Sequence, residues 1–351
     1  MGIKQNSWKV MGVYRSAFAV MAIVSWQLLG AGSAAAGFES LEACLKHHFD
    51  TASDEMTIGQ LRQECMNIIQ LAETTEAEQP KAEGPVETRL RVDQKNVLKP
   101  FTIMAHRQNY LLFAAHNFHG YSSDEFRRAY RNEDIDLQDT EAQFQISIKT
   151  PLALDLFDRG VGIWGAYTVR SFWQVYNDDI SSPFRETNHE PEIWFQTQPD
   201  WDFFGFKTKA LSAGINHQSN GQASTLSRSW NRLFAALVLE KGNFVVAVKP
   251  WYRIEESSDD DDNPDITDFL GHGDLRMAYK YNDHVFSFMT RNNLESGFSE
   301  GAVELGWSFP IFNYPYLKGY LQYFSGYGES MIDYNRYVNR LGAGILLTDL
   351  L

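Results

Sequence analysis

Beyond its first 36 residues this 351-residue chain has no long hydrophobic run. A helix needs about 18 consecutive apolar residues to cross a bilayer, so a helical membrane protein is excluded. Basic charge is in deficit, with 31 Lys and Arg against 45 Asp and Glu and a net charge of -14, which argues against nucleic acid as a partner. Cysteine is scarce. Cys44 and Cys65 both fall early, in segments that look helical, Leu41–Asp50 and Ile58–Ile69. An oxidising compartment lets them pair, giving a disulfide-clipped helical hairpin over residues 37–72; a metal site there is less well supported, because His47 and His48 flank only one of the two cysteines.

What is present begins with an export signal. Lys4, Lys9 and Arg15 form a positive region, Ala17–Leu29 a short apolar core, and Ala34-Ala35-Ala36 the small residues before cleavage. The mature chain is expected to start near Gly37. Residues 73–98, opening on a stretch rich in Glu, Ala, Pro and Thr, read as a linker, and residues 99–351 as the main domain.

That domain alternates. Phe144, Ile146 and Ile148 oppose Gln145, Ser147 and Lys149; Val303, Leu305, Trp307 and Phe309 oppose Glu304, Gly306 and Ser308. Side chains alternate across a strand, so each segment has one apolar and one polar face. About twelve such segments can be counted, and an even number closes an antiparallel barrel. A transmembrane barrel would also use the 14% aromatic content as interfacial girdles.

The most informative stretch is Leu211–Leu239. Leu211, Ala213, Ile215, His217 and Ser219 share one strand face, and Asn231, Leu233, Ala235, Leu237 and Leu239 share another. Each apolar row ends in polar groups, which would meet at the border of an apolar surface. A serine hydroxyl needs a base, and a histidine two residues along the same face lies roughly 7 Å away at the backbone, within side-chain reach. The histidine needs a third group to hold its tautomer, and Asn231 can do that with less stabilisation of the imidazolium than an aspartate gives. Taken alone, an H-x-S tripeptide is common and reads more readily as two polar residues in a loop. Ser330 in GYGES lacks the second glycine of a nucleophile elbow and reads as structural.

Several longer motifs occur in order: SSPFRETNHEP (Ser181–Pro191), NHQSNG (Asn216–Gly221), LSRSWNRL (Leu226–Leu233), VKPWY (Val248–Tyr252), DDNPDI (Asp261–Ile266) and SGYGESMIDYN (Ser325–Asn335). Together they resemble the outer membrane phospholipase A family, calcium-dependent lipases built as twelve-stranded membrane barrels. The resemblance covers the chain from about Lys99 onward. It implies an all-β transmembrane barrel in the outer membrane, with Ser219 as nucleophile, His217 as base, Asn231 as orienter and the Gly221 backbone N–H as oxyanion donor. It further implies hydrolysis of the sn-1 and sn-2 acyl esters of glycerophospholipids and of lysophospholipids, and activation by reversible homodimerisation. Calcium would be held by the Ser227 hydroxyl, the Gln222 carbonyl and Ser181 of a second subunit. A second calcium site would use Asp262, although Ser224 stands where the family often has an aspartate. The acidic run Ser257–Asp262 reads either as a solvated loop or as part of such a cation site. A reading from another class remains open: a passive porin or structural barrel, with His217 and Ser219 incidental on its lipid face.

Overall fold

The computed structural model describes residues 83–97, 99, 103–156, 159–179, 184–259, 261–294, 296–297, 299–312 and 314–351, with residues 57, 59, 62, 65 and 66. The chain divides into two units, Met1–Lys81 and Ala82–Leu351. In the first, Gly59, Arg62, Cys65 and Met66 are helical, and Cys65 is buried and disulfide-bonded. The expected export signal and Cys44, the chain's one other cysteine, lie outside the described residues.

The second unit is built on strands: β1 (Met104–Ala105), β2 (Asn109–Asn117), β3 (Thr140–Leu156), β4 (Val161–Trp173), β5 (Phe184–Thr197), β6 (Asp202–Phe203), β7 (Phe206–Ser219), β8 (Ser229–Lys241), β9 (Phe244–Ile254), β10 (Gly273–Tyr281), β11 (His284–Asn292), β12 (Gly301–Pro310), β13 (Lys318–Gly326) and β14 (Val338–Thr348). Each of the twelve long strands pairs antiparallel with its neighbour in the chain, and β14 pairs with β2, which closes the ring. Closure satisfies every edge, as a hydrocarbon surround requires. The all-β, twelve-stranded antiparallel barrel expected from the alternation is the observed fold.

Burial along the strands is inverted relative to a water-soluble barrel. Ile146, Ile193, Phe195, Ile215, Leu233, Leu305 and Leu341 are exposed on the outer wall, whereas Glu141, Gln143, Glu190, Glu192, Asn216, Arg232, Gln322 and Arg340 are buried. The lumen is crossed by ion pairs. Arg107 grips Glu190 through two N–H···O bonds of 2.6 and 2.9 Å and also reaches Glu192 at 2.8 Å; Lys249 meets Glu192 at 2.5 Å, and Arg232 meets Glu190 at 3.1 Å. Toward one end Arg185 joins Glu141 and Asp333, and Arg340 joins Glu329. Removing one partner from such a buried pair typically costs 3–5 kcal/mol. Gly214 faces the lumen where a Cβ would lie 2.2 Å from the Ile193 carbonyl oxygen and 2.5 Å from the Trp194 Cβ, so a side chain is sterically excluded there.

The two ends differ. At one end, strands are joined by tight turns such as Gly242–Asn243 and Asn282–Asp283; at the other lie the longer connections 118–139, 220–228, 255–272 and 327–337. Short turns face the periplasm and long loops the exterior in such barrels. The outer loops carry helix α2 (Asp124–Tyr130) and helix α3 (Ile266–Leu270), and a core of Trp230, Trp251, Ile266, Leu270, Met331 and Tyr334 seals this end. Ser330, read as structural, is buried here and donates to Asp333 at 2.9 Å.

One expectation does not hold from Pro85 onward: the supposed linker contains helix α1 (Pro85–Asn96), with proline in its first turn. Its polar sequence has little helical amphipathic signal, and what secures it is tertiary. Val86 N–H donates to Glu240 Oε1 at 2.6 Å, Lys209 bridges Glu87 and Glu240, and Lys149 meets Asp93 at 2.6 Å. Arg89 donates to the carbonyls of Ala105, His106, Asp349 and Leu350, at 2.5 to 3.1 Å.

The outer wall tests the orientation of the fold. Ala213 is exposed near the middle of β7, so Ala213→Arg lowers the unfolding free energy in lipid vesicles by about 2–4 kcal/mol. Guanidinium titration followed by tryptophan fluorescence measures it, and an unchanged midpoint would mean that this wall does not face lipid.

Candidate active site

The register of β7 and β8 brings the three candidate side chains together. His217 lies directly across from Asn231, and Ser219 from Ser229. Opposed residues of an antiparallel pair have Cα atoms about 4.5–5.5 Å apart. His217, Ser219 and Asn231 are half-buried on the outer face, at the loop end of the apolar rows that contain Ile215 and Leu233. Behind them is a rigid wall: Trp230 is fully buried, donates to Gln218 at 2.9 Å and carries the Arg232 guanidinium 4.1 Å from its ring centre.

The hydrogen bonds assign the imidazole tautomer. Asn231 Nδ2 donates to Glu256 Oε1 at 2.7 Å, so Asn231 Oδ1 is the atom 2.8 Å from His217 Nδ1. An amide oxygen only accepts, hence Nδ1 carries a proton, and in the neutral ring Nε2 is then the nitrogen with the lone pair. That is the form a general base needs. Ser219 makes no side-chain hydrogen bond among the described residues; it shares the outward face with His217 two positions away, roughly 7 Å between backbones. Such contacts are often long without substrate and tighten with it.

The loop after Ser219 is stapled by Asn220. Its Nδ2 donates to the Leu226 carbonyl at 2.7 Å, and its Oδ1 accepts from the Gln222 and Arg228 amides at 3.2 and 3.0 Å. Gly221, at φ +64°, occupies the left-handed region that glycine enters without steric cost. Its N–H has no acceptor among the described residues. Across the barrel wall, His189 on β5 opposes Ser219 and receives or donates a 2.6 Å hydrogen bond at Nδ1 with the Tyr167 hydroxyl.

The candidate calcium residues are partly united. The Ser227 hydroxyl donates to Asp262 Oδ2 at 2.5 Å, and Gln222 follows Gly221 in the same loop. Ser224 forms no hydrogen bond with Asp262; it lies in the short 3-10 turn Ser224–Leu226 at φ +56°. Ser181 lies outside the described residues. Asp261, from the same acidic run, is gripped by Arg253 through two bonds of 2.7 Å, and Tyr334 donates to Asp265. Burial, followed by that bond to Asp265, raises the Tyr334 phenol well above its ordinary range, so it remains a donor. Among the described residues no three His, Cys, Asp or Glu side chains converge as a metal cluster; the oxygens here come from hydroxyl, carbonyl and one carboxylate.

Sequence reasoning missed Asn220, Glu256, His189 and Tyr167. Asn220 and His189 are inside quoted motifs, but their roles depend on which residues stand opposite. Glu256 continues the outward row of Tyr252 and Ile254, and Ile254 is paired with Asn231. The row was visible in the sequence, and its partner was not.

Known proteins carry the same pattern. The family model for phospholipase A1 matches residues 86–347. The phospholipase A1 of Klebsiella pneumoniae is 37% identical over 275 residues, 78% of this chain and 91% of that protein; that of Escherichia coli K12 is 37% identical over 273 residues, 77% and 89%. Among solved structures, the calcium-bound dimer of the Salmonella typhi outer membrane phospholipase has 36% identity and a TM-score of 0.66, covering 72% of this chain and 94% of that one. Outer membrane phospholipase A from Escherichia coli has 37% identity and the same TM-score, covering 72% and 100%. With a barrel, a motif order and a family match that span the same residues, this chain belongs to the phospholipase A1 family.

Proposed function

We propose that this protein is an outer-membrane phospholipase that cleaves acyl esters of glycerophospholipids with Ser219 as nucleophile. The observation that carries this reading is the 2.8 Å bond from His217 Nδ1 to Asn231 Oδ1 on the lipid-facing side of the wall. A passive porin has no use for a tautomer-defined imidazole beside a serine at that border. The lumen, crossed by the Arg107, Glu190, Glu192 and Lys249 pairs, offers the porin reading no support.

His217 Nε2 takes the proton as Ser219 Oγ attacks the ester carbonyl carbon. The carbonyl oxygen becomes an oxyanion, which the Gly221 N–H is free to receive. Collapse of the tetrahedral intermediate expels the glycerol oxygen, to which His217 returns the proton. Water, deprotonated by the same nitrogen, then hydrolyses the acyl-serine to fatty acid and regenerates Ser219. Asn231 keeps the ring in one tautomer throughout. A site open along the wall admits sn-1 and sn-2 esters and lysophospholipids as they lie in the leaflet.

The hydroxyl of Ser227, the carboxylate of Asp262 and the Gln222 carbonyl are hard oxygen donors of the kind calcium prefers. When bound, calcium supplies Lewis-acid polarisation of the substrate carbonyl. The Ser227–Asp262 contact brings two of those donors together in this chain. Ser181 of a second subunit is the further proposed ligand, supported by the calcium-bound dimer of the Salmonella typhi relative. A partner's wall would also turn one flat apolar surface into a cleft for the acyl chain. Calcium, substrate and dimerisation would then favour one another.

Ser219→Ala is expected to abolish fatty-acid release in detergent micelles, and His217→Ala to lower kcat by about 10²–10⁴. Retention of the full rate by Ser219→Ala would remove the nucleophile assignment. Ser227→Ala should raise the calcium concentration for half-maximal activity about tenfold or more; an unchanged half-saturation sinks the metal assignment alone. Chemical cross-linking run beside the assay tests the dimer: cross-linked dimer should appear with activity as calcium is added, and full activity in a species that stays monomeric at saturating calcium refutes it.

A further inference from the structure

Three adjacent strands carry outward apolar rows that end in polar groups at the same end of the barrel. On β7 the row ends in His217 and Ser219, on β8 in Asn231, and on β9 the row Val248, Tyr252 and Ile254 is followed by Glu256. Glu256 is half-buried, and its Oε1 accepts the 2.7 Å hydrogen bond from Asn231 Nδ2. We infer that Glu256 is a positioning residue of the esterase site, a fourth member of the chain Ser219, His217, Asn231, Glu256. This inference rests on the proposed roles of the first three.

An asparagine amide can turn over, presenting either its oxygen or its nitrogen to a neighbour, and only the oxygen orients a base. A carboxylate accepts hydrogen bonds and cannot donate them when ionised. With Glu256 on one side, the amide nitrogen is claimed, and the oxygen must face His217. Glu256 also contributes charge. A neutral asparagine stabilises the imidazolium less than a carboxylate does, and Glu256 supplies a negative charge one amide further out. Hydrogen bonds in such a chain polarise one another.

Glu256 is itself held in place. Ile254, two residues earlier, is in register with Asn231. On the other side the loop is tied down by Arg253 to Asp261, and by Asn263 Oδ1 accepting from the Ser229 amide at 2.9 Å. Four ionisable groups on the surrounding strands are otherwise engaged. His189 and Tyr167 bond each other beside Ser219, Arg232 points into the lumen to Glu190, and Arg253 is taken by Asp261. Glu256 is thus a carboxylate linked to His217 through Asn231.

The test compares wild type with Glu256→Ala, Glu256→Gln, Glu256→Asp, Asn231→Ala and the double variant Asn231→Ala/Glu256→Ala, in micelles at saturating calcium. Glu256→Ala is expected to lower kcat about tenfold with little change in KM, and Glu256→Asp to recover part of the loss. Glu256→Gln keeps the shape and removes the charge. Because that charge stabilises the imidazolium formed as Ser219 gives up its proton, its loss lowers kcat and moves the acid limb of the kcat/KM profile to lower pH. In the Asn231→Ala background the Glu256→Ala change should cost nothing further, since its route to His217 is gone. An equal loss in both backgrounds, or an acid limb that stays in place in Glu256→Gln, overturns the inference. Ser219→Ala is the separate control: activity surviving there would overturn the esterase assignment itself, whatever the Glu256 variants do.

Discussion

The structure depends on the demand that no backbone N–H or C=O be left unpaired in hydrocarbon. A closed antiparallel ring meets that demand, and β14 pairing with β2 completes it. Once the ring is closed, the period-two alternation of each strand has only one arrangement open to it. Apolar side chains face lipid, and charged ones face inward, where Arg107, Arg185, Arg232 and Arg340 find carboxylates. The lumen is thus a cross-linked polar core and the wall is the solvent-compatible surface.

That inversion explains how a hydrolytic site can lie on the outside of the molecule. Catalytic groups in a soluble enzyme sit in a cleft, whereas the residues proposed here for that role, His217, Ser219 and Asn231, occupy the last outward positions of strands whose earlier outward positions are apolar. A bilayer supplies the apolar surroundings that a cleft would otherwise have to provide. The site's polar partners come from the loops at the same end, where Asn220 shapes the turn around Gly221, Ser227 meets Asp262, and Glu256 holds Asn231. These loops are kept in place by the core around Trp251, Ile266 and Tyr334. Sealing the barrel and shaping the site are therefore tasks of the same segments.

The family relationship accounts for the barrel and for the motifs on which the site stands. Within the outer loops Ser224 does not bond Asp262, and the acidic run is divided between Arg253, which takes Asp261, and Ser227, which takes Asp262. Helix α1 is attached through Arg89, Lys149 and Lys209 to groups more than fifty residues away in most cases.

The alternation of Phe144, Ile146 and Ile148 with polar neighbours determined strand identity and which residues share a face, because a period of two has only one geometric meaning; which face meets lipid was not contained in it. The segment count, the absence of a long apolar helix and the row ending in His217 and Ser219 were legible for the same reason. Register was not. Whether His217 meets Asn231, or Asn231 meets Glu256, depends on which residues stand opposite after closure, and a slip of one residue would turn every side chain to the other face. The tautomer of His217, the staple at Asn220 and the docking of α1 were likewise decided only in three dimensions, since each rests on hydrogen bonds set by the paired strands and packed loops.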